Sequence, residues 1–117
     1  MNELNYMSDV INETQRMYPV SLFDRQASAD YEYKDINVKK GQTVNTLTNV
    51  IHFDESIYPE PYKFKPGRDI PNGSFFPFGS GPRNCIAQRF ALLEIKLVLT
   101  KIFSKFRIEK CEKTPVS

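Results

Sequence analysis

Metal-binding and catalytic side chains are scarce in this sequence of 117 residues, which contains one histidine and two cysteines. A structural zinc site takes about four ligands, and Cys85, Cys111 and His52 lie at spacings unsuited to one. A cysteine nucleophile needs a general base, and His52 is the only histidine that could serve. The sequence therefore argues against a zinc centre and offers one base for a catalytic cysteine.

Strong charge and long apolar runs are also lacking. The net charge is +2, from 16 basic and 14 acidic residues, which is too small and too evenly spread to indicate nucleic-acid binding. No apolar run approaches the roughly 18 residues of a membrane-spanning helix, and no signal peptide is visible. We therefore expect no nucleic-acid partner, and we expect any membrane association to come through segments absent from these residues.

The most informative stretch that is present covers residues 78–87, Phe-Gly-Ser-Gly-Pro-Arg-Asn-Cys-Ile-Ala. Gly79, Gly81 and Pro82 favour irregular backbone and predict a loop before Cys85. The apolar residues that follow predict one long helix over Ile86–Phe106. Cys85 would then lie at a helix N-terminus.

A cysteine in that position is suited to be a thiolate, because free backbone N–H groups and the helix dipole stabilise negative charge. Arg83 adds a positive charge two residues upstream. A metal-bound thiolate, including a ligand to haem iron, is one interpretation of Cys85. A buried small hydrophobe, a nucleophile paired with His52, and a disulfide with Cys111 are the others, and the residues alone leave them open.

The motif Phe78-x-x-Gly81-x-Arg83-x-Cys85 resembles the haem-binding loop of cytochromes P450, the haem-thiolate monooxygenases. The family has glycine where this chain has Ala87. The resemblance implies that the cofactor is haem b (iron protoporphyrin IX) and that Cys85 is its proximal iron ligand. It implies that Arg83 pairs with a haem propionate and that Phe78 shields the sulfur.

Two further residues are assigned to the cofactor site by the same resemblance. Gly79 belongs to the haem-binding loop. Arg25 resembles the arginine that reaches the second propionate, although its spacing from Arg16 is one residue shorter than the family's usual pattern.

The start of the chain agrees with this resemblance. Apolar residues at three- and four-residue spacing predict an amphipathic helix from Leu4 that ends before Pro19. Glu13 and Arg16 share one face of that helix at i and i+3, which is common in exposed ion pairs. Residues 12–19 are, however, similar to the family's Glu-x-x-Arg helix. The segment from His52 onward is similar to the family segment in which Arg68 would complete a buried Glu–Arg–Arg network.

Strand patterns are confined to residues 31–47. Tyr31 and Tyr33 alternate with polar residues, Ile36 and Val38 follow, and a turn at residues 39–41 precedes Thr43–Leu47. With the two helices, this pattern predicts a chain that is mainly α with a small β element. The resemblance assigns residues 1–117 to the C-terminal haem-binding part of a cytochrome P450, as an incomplete domain.

The resemblance also implies a function. The family inserts one oxygen atom of O₂ into lipophilic small molecules, using electrons from NADPH delivered by a reductase, at the cytosolic face of the endoplasmic reticulum membrane. We expect the 117 residues alone to show no such turnover, because the family's oxygen-activating half is not among them. A non-catalytic haem-binding module or an inactive remnant is the alternative.

Overall fold

A computed structural model describes residues 3–20 and 23–114, and it divides the chain into two compact units, Met1–Asn84 and Cys85–Ser117. Within the described ranges the chain forms three α-helices, four short strands and one 3₁₀ turn. The elements are α1 (Glu3–Met17), β1 (Phe23–Gln26), β2 (Tyr31–Tyr33), β3 (Ile36–Val38), β4 (Thr43–Thr46), α2 (Thr48–His52), the 3₁₀ turn (Gly81–Arg83) and α3 (Gln88–Phe103). The predicted mixture of helices with a small β element is confirmed.

Helix α1 ends where its sequence predicts. The Tyr18 N–H still donates to the Thr14 carbonyl at 2.8 Å, and Pro19 then stops the helix, because it lacks an N–H and disfavours helical backbone at the preceding residue. The buried face only partly matches the apolar spacing that predicts this helix, which runs through Leu4, Met7, Ile11, Thr14 and Met17 or Tyr18. Thr14 is exposed, whereas Glu13 and Arg16 are buried beside Ile11, and the Leu4 side chain lies outside the described residues.

The β element consists of two separate two-stranded antiparallel sheets. Strands β2 and β3 form a hairpin in which Tyr31 lies opposite Val38 and Tyr33 lies opposite Ile36. Strand β4 pairs with β1, which places Arg25 opposite Val44. The sequence did not predict β1, because its four residues show no alternation of apolar and polar side chains.

The interior of the first unit is mostly polar. Its most buried side chains include Ile11, Glu13, Arg16, Thr48, His52, Tyr58 and Ser74. Helices α1 and α2 pack together, so these side chains meet between the two helices and the loop that follows α2. The strands contribute little to this interior, since most of their residues are exposed.

Helix α3 in the second unit is shorter than the predicted helix over Ile86–Phe106. It begins at Gln88, with Ala87 as the N-cap residue at φ −88°, and Phe103 is its last residue. At the other end the Phe106 N–H still donates to the Ile102 carbonyl at 2.8 Å, in a turn that does not continue the helix. No residue of α3 is buried. In the described part of the chain, no helix has the length and apolar character required to cross a membrane.

Candidate functional site

The glycine-rich loop before Cys85 has the irregular backbone that its sequence predicts. Gly79 and Gly81 have φ angles of +84° and +77°, in the left-handed region that favours glycine. Gly81 opens the 3₁₀ turn, which the Asn84 N–H closes by donating to the Gly81 carbonyl at 3.1 Å. A Cβ atom at Gly79 would lie 3.3 Å from the Phe23 ring. Gly79 is therefore fixed both by its backbone angle and by this close approach.

Cys85 has a free, exposed thiol, which does not fit a buried hydrophobe. The prediction that it lies at the helix N-terminus is wrong by a few residues, because α3 begins only at Gln88. The Gln88 N–H donates to the Cys85 carbonyl at 3.3 Å, so the chain turns once before the helix. Cys111 is also free and exposed; a hydrogen bond from the Thr114 hydroxyl is the main cause that lowers its thiol pKa.

Two of the residues assigned to the cofactor site lie in one cleft of the first unit. Arg25 and Gly79 both line a cleft of about 340 Å³. The other lining residues are Phe23, Thr46, Gly73, Phe76 and Ser80. The pairing of β1 with β4 brings Arg25 there. Its guanidinium donates to the Asp24 carbonyl at 2.6 Å. Within residues 3–20 and 23–114 it has no carboxylate partner, so its other N–H groups can bind an anion.

Phe78 and Arg83 also belong to the first unit. Phe78 is partly buried, whereas Arg83 is exposed at the end of the 3₁₀ turn. In residues 3–20 and 23–114, no salt bridge involves Arg83. The first unit thus presents two exposed guanidinium groups, those of Arg25 and Arg83, on elements next to the glycine loop.

Glu13, Arg16 and Arg68 are in direct contact. The Arg16 guanidinium donates two hydrogen bonds to the Glu13 carboxylate, at 2.9 and 3.0 Å, and Arg68 donates to the same carboxylate at 3.2 Å. Their side chains are 0, 3 and 5% exposed for Arg16, Glu13 and Arg68. The pair on α1 is therefore buried, which excludes the interpretation as an exposed ion pair.

The two arginines also donate to backbone carbonyls in α2 and in the loop that follows it. Arg16 donates to the His52 carbonyl at 2.6 Å and to the Pro61 carbonyl at 2.7 Å. Arg68 donates to three carbonyls in the loop after α2, those of Pro59, Glu60 and Lys63. Burying charges is costly unless their hydrogen bonds are satisfied, and here these guanidinium groups are satisfied mainly by backbone. The network therefore fixes the course of the loop after α2.

The Glu13 carboxylate is stabilised in its ionised form. Burial alone would raise the pKa of Glu13, but hydrogen bonds from Arg16, the Lys65 N–H and Arg68, together with the Arg16 charge, lower it below its usual range. Glu13 is thus a fixed negative charge at neutral pH, and both arginines depend on it.

His52 lies under this network and is fully buried. Its Nδ1 lies 3.0 Å from the Arg16 carbonyl, which can only accept, so Nδ1 carries the proton. Among the described residues, Nε2 has no hydrogen-bond partner. Burial, reinforced by the nearby Arg16 charge, lowers the pKa of His52. The imidazole is therefore neutral and structural.

The sequence did not predict a contact between Tyr58 and Ser74. Tyr58 is fully buried, and its hydroxyl lies 2.9 Å from the Ser74 hydroxyl. No local pattern pairs two residues that lie 16 positions apart. The one available signal was that Tyr58 precedes Pro59 in the segment from His52 onward, which resembles the family.

No cluster of three or more His, Cys, Asp or Glu side chains is placed to hold a metal ion in the ranges 3–20 and 23–114.

Comparisons with known proteins agree with the resemblance of the loop. A family model described as Cytochrome P450 matches residues 1–117. Cytochrome P450 3A31 of Mesocricetus auratus is 40% identical over 122 aligned residues, which cover 97% of this chain and 24% of that protein. Cytochrome P450 3A12 of Canis lupus familiaris and cytochrome P450 3A2 of Rattus norvegicus are 35% and 37% identical, with the same coverage. The chain spans about a quarter of the length of these curated relatives.

Proposed function

The chain belongs to the cytochrome P450 family, and on that premise we propose that it is the C-terminal haem-binding part of a haem-thiolate monooxygenase. The observation that carries the proposal is the free, exposed thiol of Cys85 directly after a loop whose glycines adopt positive φ angles. A side chain in that position is accessible to a metal and is preceded by tightly determined backbone.

The residues present fit a haem group. A planar porphyrin needs a close approach to backbone, and Gly79, which lines the same cleft as Arg25, presents backbone without a Cβ atom. Its two propionates need cations, and Arg25 and Arg83 are exposed guanidinium groups without a carboxylate partner among the described residues. Its iron needs a soft axial ligand, which a cysteine thiolate supplies.

We assign the roles accordingly. Cys85 would ligate the iron, Arg83 and Arg25 would each pair with a propionate, and Phe78 and Gly79 would line the cofactor on the loop side. Bound haem b would supply oxygen activation, in which a thiolate ligand favours O–O cleavage. The chain's own contribution is to bind and orient the cofactor.

The Glu13–Arg16–Arg68 network would serve this site as a structural support. It holds the last residue of α2 through one backbone carbonyl and the loop after α2 through four more, and the same unit carries Arg25, Phe78, Gly79 and Arg83. Its proposed role is to set geometry, because a buried ionic cluster adds little net stability.

The monooxygenase activity is proposed for a longer protein of the kind that the matched relatives represent. Electrons would come from NADPH through a reductase, and the substrate would be a lipophilic small molecule. The proposed location is the cytosolic face of the endoplasmic reticulum membrane. These proposals derive from family membership.

The ferrous–carbon monoxide spectrum of the haem-reconstituted chain tests the ligand assignment. We expect the long-wavelength Soret band of a haem-thiolate in the wild-type chain. Cys85→Ser abolishes this band, whereas Cys111→Ser, the matched control at the other free thiol, retains it. If the two variants give the same spectrum, Cys85 is not the ligand.

Turnover separates the monooxygenase from the alternative of a non-catalytic haem-binding module. Product formation from lipophilic substrates is measured with NADPH and a reductase, in the chain alone and in a protein that carries it together with upstream P450 segments. We expect no turnover by the chain alone and turnover in the longer protein. Thiolate-bound haem without turnover in the longer protein would favour the non-catalytic module.

A further inference from the structure

We propose that Tyr58 and Ser74 are positioning residues that anchor the start of the cysteine loop to the buried charged network. The inference rests on the proposed function, since the loop would position haem. It adds a link that the family motif does not contain, a side-chain hydrogen bond between the segment after α2 and the segment that leads to Cys85.

Tyr58 is fixed on the network side by two contacts of its ring and by one hydrogen bond to the residue that follows it. Its ring centroid lies 5.4 Å from the Arg16 guanidinium carbon and 6.1 Å from the His52 ring, edge-on. The next residue, Pro59, has its carbonyl held by Arg68. Tyr58 therefore moves only if the network moves. Burial raises the pKa of its hydroxyl, so the proton needed for donation stays in place at neutral pH.

Ser74 is the acceptor of this hydrogen bond. Its hydroxyl donates to the Pro71 carbonyl at 2.7 Å, which uses its only proton. The Tyr58 hydroxyl, 2.9 Å away, must then be the donor. The Ser74 N–H also approaches the Pro71 carbonyl, at 3.2 Å, so Ser74 closes a tight turn and receives the tyrosine at the same point.

The two residues after Ser74 pack on the same support and lead into the loop. The rings of Phe75 and Phe76 lie 5.5 and 6.2 Å from the His52 ring. The Gly79 N–H donates to the Phe76 carbonyl at 3.0 Å. A shift of Ser74 would thus be passed through Phe76 to Gly79, which lines the cleft with Arg25.

The geometry predicts an asymmetry between the two single substitutions. Tyr58→Phe removes the donor and leaves Ser74 still bonded to Pro71, so no buried group loses its only partner. Ser74→Ala leaves the buried Tyr58 hydroxyl without an acceptor, which is the costlier defect. The double variant Tyr58→Phe/Ser74→Ala removes both hydroxyls and should resemble Tyr58→Phe more than Ser74→Ala.

Amide hydrogen exchange of the 117-residue chain over residues 75–79, before and after haem reconstitution, tests the proposal. We expect Ser74→Ala to accelerate exchange there on the order of tenfold, with a smaller increase in Tyr58→Phe and in the double variant. Ser74→Thr, which keeps the hydroxyl, should restore slow exchange. Thr48→Val is the matched control, because Thr48 is also a buried residue but its hydroxyl contacts the Thr46 carbonyl.

The fraction of reconstituted haem with the thiolate-type carbon monoxide band is the second readout. It should fall in Ser74→Ala and stay unchanged in Thr48→Val, even if both variants lose similar stability. Unchanged exchange in Ser74→Ala, or an unchanged band despite faster exchange, overturns the positioning role. If the wild-type chain lacks the thiolate band, the proposed function fails, while the exchange data still decide whether Tyr58 anchors the loop.

Discussion

The unit that ends at Asn84 buries charged groups, whereas α3 in the unit that begins at Cys85 leaves apolar groups exposed. Arg16 is fully buried together with Glu13. In α3, Phe90, Leu93 and Leu97 are 68, 66 and 63% exposed. On another face of the same helix, Leu92 and Leu99 are partly covered.

The two units are stabilised by different kinds of hydrogen bond. The first unit depends on hydrogen bonds between residues far apart in sequence, such as Arg16 to Pro61, and each buried donor needs its acceptor in place. Helix α3 depends on local backbone hydrogen bonds that its own residues supply. Substitutions should therefore have large, specific effects in the first unit and small effects on the exposed face of α3.

The largest effect is expected from Arg16→Ala. It removes both hydrogen bonds to Glu13 and those to the His52 and Pro61 carbonyls, so the free energy of unfolding should fall by about 3–5 kcal/mol. Urea denaturation measures the loss. Lys39→Ala is the control, because the Lys39–Asp30 pair is exposed and should contribute little to stability. If Arg16→Ala lowered the free energy of unfolding by only about a few tenths of a kcal/mol, the network would not be buried as described.

A smaller effect is expected from Arg68→Lys. The ammonium group keeps the charge near Glu13, but it cannot reach the carbonyls of Pro59, Glu60 and Lys63 together, as the planar guanidinium does. We expect a loss of roughly 1–3 kcal/mol in urea denaturation. Arg107→Lys is the matched control, since Arg107 is 89% exposed, and should change little. Equal stability of Arg68→Lys and the wild type would show that only the charge of Arg68 matters.

Near neutral pH, the pH dependence of stability reports on His52, which is the single histidine in the sequence. Its folded-state pKa is lowered, first by burial, so the unfolded chain binds a proton more readily. The stabilisation is complete above the unfolded pKa of about 6.5 and is lost as the pH falls through the folded-state pKa. Glu13, whose pKa is also lowered, adds a second loss below its unfolded pKa of about 4.3.

Thermal unfolding between pH 7.5 and pH 5 measures this effect. The midpoint should fall on acidification in the wild type, and His52→Gln should flatten the curve in this range. A midpoint that rises as the pH falls would show that His52 is protonated in the folded protein.

The sequence predicted the features that depend on local contacts and missed most of those that depend on distant ones. Helix α1, the strand residues at 31–46 and the glycine loop have local signals, and the i, i+3 spacing placed Glu13 and Arg16 on one face. Helix α2 has five residues, too few for a periodic pattern, and β1 pairs with a strand about 20 residues away. The Tyr58–Ser74 hydrogen bond likewise has no local signature.

The smallest effect is expected on the exposed face of α3. Leu93→Ala replaces a side chain that is 66% exposed with a good helix former, so stability should change by less than about 0.5 kcal/mol. Leu92→Ala is the matched control on the partly covered face and should cost more. Helicity and urea denaturation measure both variants; a larger loss in Leu93→Ala would show that this face is covered.

X-ray absorption at the iron edge tests the central claim, that Cys85 is the thiolate ligand of haem. In the haem-reconstituted chain, we predict one sulfur scatterer in the first shell of the ferric iron. That scatterer should persist in Cys111→Ser and disappear in Cys85→Ser. An iron without sulfur in the wild-type chain, or one that keeps sulfur in Cys85→Ser, would contradict the account.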